Sequence, residues 1–224
     1  MGSITIEASY YQQFDADQSL SAPAIAYGGW QTEEIEIESE RTALVVMHAW
    51  NYGTPEQYPG SFRAEAHLGQ ANQICETVFP PLLKAVRRAG LPVFHVVCGG
   101  NYYKDLPGYR RAVELAGEPP EPIEQAPSDD SLERLQLFRR DHTFPGKHNL
   151  EDCEASFRNT DFHPGTRPEG DEGIAHFDYQ LHALCKEAGI NHLIYSGFAL
   201  DACILMAASG MVCLLYTSPS PRDS

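Results

Sequence analysis

The chain has 224 residues and a formal net charge of −15, enough length for one sizeable α/β domain with a full core. Its 16 Lys and Arg stand against 31 Asp and Glu, and basic residues gather no further than pairs such as Arg87-Arg88 and Arg139-Arg140, so no nucleic acid and no anionic membrane surface is expected as a partner. No apolar run reaches the roughly 20 residues of a membrane span, and the six irregularly spaced cysteines, with no signal sequence ahead of them, read as free thiols of a cytoplasmic protein.

Residues 1–33 are polar, spotted with aromatics and rich in turn formers, and read as an arm packed on the domain (1–40 with its flank) rather than as a separate unit. Within it Glu34-Ile35-Glu36-Ile37 alternates charged and apolar, as a half-exposed strand does. Thr42 to Met47 is continuously apolar and β-prone, a central buried strand ending at His48-Ala49-Trp50-Asn51. Gly53, Pro55 and Pro59-Gly60 mark a loop, and a helical stretch follows from about Glu65 to Ala89, kinked or restarted at Pro80-Pro81. Gly90 closes it, and Pro92 to Cys98 forms the next strand.

Strand, helix and strand with such connections make a parallel βαβ unit. Tyr109 to Leu115 and Ser131 to Asp141 read as helices, separated by an acidic, Pro-rich loop. Thr143 to Glu172 is full of Gly and Pro and reads as a long irregular segment, functional or poorly ordered. Gly173-Ile174-Ala175 is a short strand, Asp178 to Ala188 a helix, and His192 to Gly197 another buried strand. The expected architecture is α/β: a three-layer α-β-α domain over 41–212 with a doubly wound, mostly parallel sheet and its site at the carboxyl ends of the strands.

The chemistry concentrates after the last strand. Asp201 stands where it would N-cap a helix running through Ile204 to Ala208, which puts Cys203 in the first helical turn. Free backbone N–H groups and the helix dipole there favour a thiolate, so Cys203 is the candidate nucleophile. Trp50, Asn51 and Tyr52 follow the first buried strand and are candidates to line a pocket for a small ligand, with ordinary loop packing as the equal alternative. Cys75, Cys98, Cys153 and Cys185 read as structural thiols. Asp161-Phe162-His163 has a metal-like spacing but lacks a closely following second His, so no metal is expected there, and no cofactor is expected elsewhere.

Three stretches together resemble the isochorismatase-like cysteine hydrolase superfamily: Thr42 to Asn51 its first strand, Leu82 to Cys98 its helix-Gly-strand unit, and Gly189 to Leu205 its strand-Gly-x-x-x-Asp-x-Cys signature. The resemblance implies a six-stranded parallel sheet, an Asp-Lys-Cys triad that cleaves a small amide, and an oxyanion hole beside the Cys. It further implies a non-proline cis peptide, here Phe198–Ala199, so Phe198 and Ala199 join the substrate-binding candidates. Carried across by position, the nucleophile is Cys203, the Asp position holds His48 and the Lys position holds His176. A histidine can deprotonate a thiol, so an altered triad remains chemically coherent; the alternatives are a fold that only binds a small molecule or a protein, and vinyl-ether hydrolysis without a Cys nucleophile. The resemblance also allows a homo-oligomer, as many relatives are dimers or tetramers. Separately, Cys213 to Asp223 resembles a reading frame of a transposase adapter used in sequencing libraries. Residues 213–224 are therefore expected to be non-native, and a last strand and helix of the superfamily fold to be missing.

Overall fold

A computed structural model describes residues 2–12, 19, 27–121, 124 and 127–217. Its centre is β3 (Thr42–Met47), in which every residue is buried. The alternation of a strand sends Ala43, Val45 and Met47 to one face of the sheet and Leu44 and Val46 to the other. The first set packs with Ala112, Leu181, Leu184 and Ile204. The second packs with Cys75, Phe79 and Leu83. Helices therefore cover both faces, a three-layer α/β arrangement, and this is why β3 reads as an unbroken apolar run.

The sheet is parallel throughout, in the order β5-β4-β3-β6, with β4 spanning Val93–Val96, β5 Gly173–Ala175 and β6 His192–Gly197. Among the described residues this parallel sheet has four strands, against the six-stranded parallel sheet that the resemblance implies. The chain steps outward from β3 to β5 and then returns to place β6 on the far side of β3. Between β3 and β4 run α1 (Pro59–Ala64), α2 (Leu68–Thr77) and α3 (Phe79–Arg88). The helical stretch expected from about Glu65 to Ala89 is two helices, α2 and α3, and the expected restart falls at Val78, with Pro80 in the opening turn of α3, where a missing N–H costs nothing. The loop expected to extend through Pro59-Gly60 already contains the start of α1.

Past β4 come α4 (Pro107–Ala116), α5 (Asp130–His142), α6 (Leu150–Arg158) and α7 (Asp178–Ala188). Asp129 caps α5 by accepting the Leu132 N–H at 2.8 Å. No residue of α5 is buried, and Leu132, Leu135, Leu137 and Phe138 are all exposed. Helix α6 corrects the expectation of an irregular segment from Thr143 to Glu172. Leu150, Cys153 and Phe157 have helical spacing that the surrounding Gly and Pro signals mask, and Asp152 fixes the helix by accepting the Gly60 N–H of α1 at 2.6 Å.

The N-terminal arm is an antiparallel ribbon of β1 (Ser3–Gln12) and β2 (Gly29–Glu38), paired from Ser3 with Glu38 to Gln12 with Gly29. The expected strand at Glu34 to Ile37 is the end of β2, and its partner β1 repeats the same alternation through Ile4, Thr5, Ile6 and Glu7. The ribbon is a sheet of its own, and none of its residues is fully buried. At the other end, α8 (Cys203–Met206) and α9 (Met211–Thr217) close the described chain. Leu214 of α9 packs into the core, while the rest of the adapter-like segment from 218 onward lies outside the described residues.

Candidate functional site

Where a parallel sheet reverses its direction of growth, the loops after two neighbouring strands diverge to opposite faces and leave a crevice. Here that point lies between β3 and β6, and the candidate residues follow the carboxyl ends of both. His48, directly after β3, has φ +51, the one non-glycine residue in the left-handed region among those described. Its backbone is held there on both sides: the N–H donates to Val96 O at 3.0 Å, and the carbonyl accepts from the Trp50 N–H at 3.0 Å and the Tyr52 hydroxyl at 2.9 Å. The imidazole stacks on Trp50, with centroids 4.5 Å apart and planes at 20°. Trp50 is positioned in turn by its indole N–H, which donates to the Tyr102 hydroxyl at 2.8 Å.

At the end of β6, Gly197 lies against β3 so closely that a Cβ would come within 1.9 Å of the Met47 carbonyl oxygen. The Phe198 N–H donates to that same carbonyl at 3.1 Å, and the Phe198–Ala199 peptide is cis, at the bond where the resemblance implies one. The Ala199 carbonyl accepts from the N–H groups of Ala202 and Ile204 at 3.2 and 3.1 Å. That tight turn delivers Cys203 as the first residue of α8.

Cys203, His48, Trp50, Asn51, Phe198 and Ala199 all line one cavity of about 400 Å³. Tyr52 lines it too, so the structure gathers nearly all of the residues singled out from the sequence. His176 is the exception: it follows β5, its Nδ1 is hydrogen-bonded to the Tyr103 hydroxyl, and it is not among the cavity-lining residues. The rest of the wall was not legible in the sequence. Ser61 and Glu65 come from α1 and its end, and Cys153 and Phe157 from α6. Cys153, read as a structural thiol, thus faces the same space as Cys203. The helical spacing within α6 was the available signal for its residues; an isolated Glu65 after a turn offered none.

The electrostatics correct one expectation. Helix α8 has only four residues, Ala202 at its N-cap lies outside the usual capping conformation, and Asp201 is exposed and caps nothing. One turn supplies little dipole, and burial pushes the Cys203 thiol up, with Cys98 and Glu65 adding to it and the Ala199 backbone opposing. Cys203 is therefore a protonated thiol at rest rather than a thiolate. His48 is 6% exposed, and burial lowers it to about 4, with His176 contributing in the same direction. It is a neutral imidazole near neutral pH, and its Nδ1 is buried without a hydrogen bond. Burial raises Glu65 against the opposing effect of His67.

Ser61 Oγ is likewise buried and makes no hydrogen bond, although it lies near enough to the Cys153 thiol to offset part of the burial that raises it. In the metal-like stretch, Asp161 pairs with Arg167, and His163 Nδ1 accepts the Gly165 N–H at 3.1 Å. Among the described residues no group of His, Cys, Asp or Glu is arranged to hold a metal ion, and no helix is long and apolar enough to cross a membrane. Comparison of the chain with protein-family models and with curated proteins found no match.

Proposed function

We propose that the protein is an isochorismatase-like hydrolase that cleaves a small amide or related C–N bond, with Cys203 as nucleophile and His48 as its base. The observation that carries this reading is the convergence of the two side chains on one cavity, from the ends of adjacent strands at the sheet's reversal point. In the proposed reaction His48, neutral before the step, takes the Cys203 proton as sulfur attacks the carbonyl carbon. The C–N bond then breaks as that proton passes to the leaving nitrogen, and water cleaves the resulting thioester to free the acid and the thiol.

Burial disfavours both the thiolate and the imidazolium, so proton transfer must accompany attack rather than precede it. Glu65, electrostatically coupled to Cys203 and itself raised by burial, is a second group able to hold that proton. His176 is proposed only as a more distant partner of His48, since its Nδ1 is engaged by Tyr103.

The same raised thiol favours a second reading, in which the cavity binds a small molecule without reacting. A panel of small amides decides between them. Cys203→Ala should abolish turnover and His48→Asn should lower it by about a hundredfold or more, as loss of a general base does. Cys153→Ala should keep activity, and turnover should fall in acid as His48, held at about 4, becomes protonated and can no longer act as base. Turnover that survives Cys203→Ala rejects the hydrolase mechanism, and absence of turnover of every amide alongside tight ligand binding selects the binding reading.

A further inference from the structure

The chemistry of the cavity wall says more about the ligand than the reacting groups do. Five aromatic rings face the space: Trp50, Tyr52, Phe144, Phe157 and Phe198. Four of them meet edge to face, with Trp50 and Phe157 centroids 6.2 Å apart at 80°, Trp50 and Tyr52 6.0 Å apart at 64°, and Tyr52 and Phe198 6.3 Å apart at 80°. The ring planes of the lining thus lie at several angles to one another, with one face of Trp50 covered by the His48 imidazole. The acidic residues of the lining are Glu65 and Asp201, His67 lines it beside Glu65, and among the described residues no Lys or Arg lines it. Glu65 is 35% exposed, with His67 at 3.7 Å. Two further polar groups, Ser61 Oγ and His48 Nδ1, are buried there without a hydrogen bond.

We propose that this cavity selects an organic cation: a small amide that carries a quaternary or protonated amine. The aromatic faces and the Glu65 carboxylate hold the cationic end, and Ser61 and His48 are left for the amide. The proposal rests on the reading of the cavity as an amide site but concerns recognition, which is measured apart from turnover. A carboxylate or phosphate ligand would enter this space facing Glu65 and Asp201, with no Lys or Arg among the described lining residues to meet it and with His67 already turned to Glu65. A cation gains from both, since an ammonium over an aromatic face is stabilised most when it leaves water. His48, neutral as argued above, does not oppose it.

The test compares two ligands of nearly the same shape that differ by one charge: betaine amide (trimethylammonioacetamide) and 3,3-dimethylbutanamide, in which carbon replaces the quaternary nitrogen. Binding is measured by calorimetry on full-length Cys203→Ala, which cannot turn either over through sulfur. The expected result is that betaine amide binds about ten- to thirtyfold more tightly, the range that a desolvated cation–π contact supplies. Glu65→Gln should reduce that ratio at least severalfold, and Trp50→Leu should reduce it again, each with an unchanged circular dichroism spectrum. The comparison of the two ligands on Cys203→Ala needs neither Glu65→Gln nor Trp50→Leu, so misfolding of either leaves the test intact. Equal binding of the two amides, tighter binding of the neutral one, or no binding of betaine amide at millimolar concentration overturns the proposal. Selective binding of betaine amide with no turnover by the wild type leaves this inference standing and rejects the hydrolase reading.

Discussion

Replacement of His48 by Asn should make the protein less sensitive to acid. The folded protein holds His48 at about 4 because burial disfavours the imidazolium, whereas an unfolded chain returns it to about 6.5. The sign follows from those two values: as the pH falls through this window the unfolded state takes up a proton that the folded state refuses. The stability that burial of neutral His48 permits is therefore complete above the unfolded value and is lost as pH falls from there towards the folded one. The difference in proton uptake corresponds to about 2 kcal/mol at about pH 5, and to roughly 3 kcal/mol once both forms are protonated.

Asparagine is the suitable replacement, because it tolerates the left-handed backbone that φ +51 imposes. Urea unfolding of both proteins at about pH 7.5 and about pH 5 should show the wild type losing about 2 kcal/mol more than His48→Asn. His95 and His163 are also lowered by burial, but both proteins carry them, so their contributions cancel in the comparison. Equal losses in the two proteins would mean that His48 is not a buried neutral imidazole. The proposed proton transfer from Cys203 would then lose its starting state.

Gly197→Ala should destabilise the fold by about 3 kcal/mol or more, since its φ of +135 and the Met47 carbonyl at 1.9 Å from a new Cβ allow no local remedy; chemical denaturation reads this directly, and a loss below about 1 kcal/mol would place the strands further apart than described. Leu83→Ala, at 1% exposure, should cost about 2–5 kcal/mol. Leu135→Ala, at 54% exposure, should change stability by no more than about 0.5 kcal/mol, and similar losses at the two sites would put α5 in a core. Hydrogen exchange should proceed far faster in α5 and in the β1–β2 ribbon than in β3, because the first two bury no residue and the third buries all six. Protection of α5 comparable to that of β3 would contradict its exposure.

What the sequence reveals follows the range of the forces that form each part. β3, β5 and α7 have the expected bounds, since a continuous apolar run, a short run between turn formers and a helix closed by Gly189 in the left-handed region (φ 69) are local signals. The order of strands makes a pocket of the loops after β3 and β6, and so the expected positions of His48, Trp50 and Cys203 were sufficient to anticipate their meeting. The shortness of α8 was hidden because Asp201 looks like a cap, and the raised thiol of Cys203 was hidden because burial is a property of the assembled wall. Glu65 and Phe157 reach the cavity only through the packing of α1 on α6, a contact between segments about ninety residues apart, for which no local pattern exists. Ribbon strand β1 is masked for a different reason: its alternation is present, but polar and turn-forming neighbours dilute it.

The stack of His48 on Trp50 gives the protein an optical handle on its own pocket. Of the two tryptophans, Trp30 stands 76% exposed on the ribbon, where dissolved quenchers reach it freely, while half-buried Trp50 has one face on the His48 imidazole and its indole N–H on the Tyr102 hydroxyl. Iodide should therefore remove mainly the red-shifted emission of Trp30 and leave the blue-shifted emission of Trp50. Because an imidazolium accepts an excited electron from indole far better than a neutral imidazole does, the surviving light should fade as acid protonates His48. A single unlabelled sample would then report the protonation of that imidazole and, separately, any ligand that displaces water from the ring.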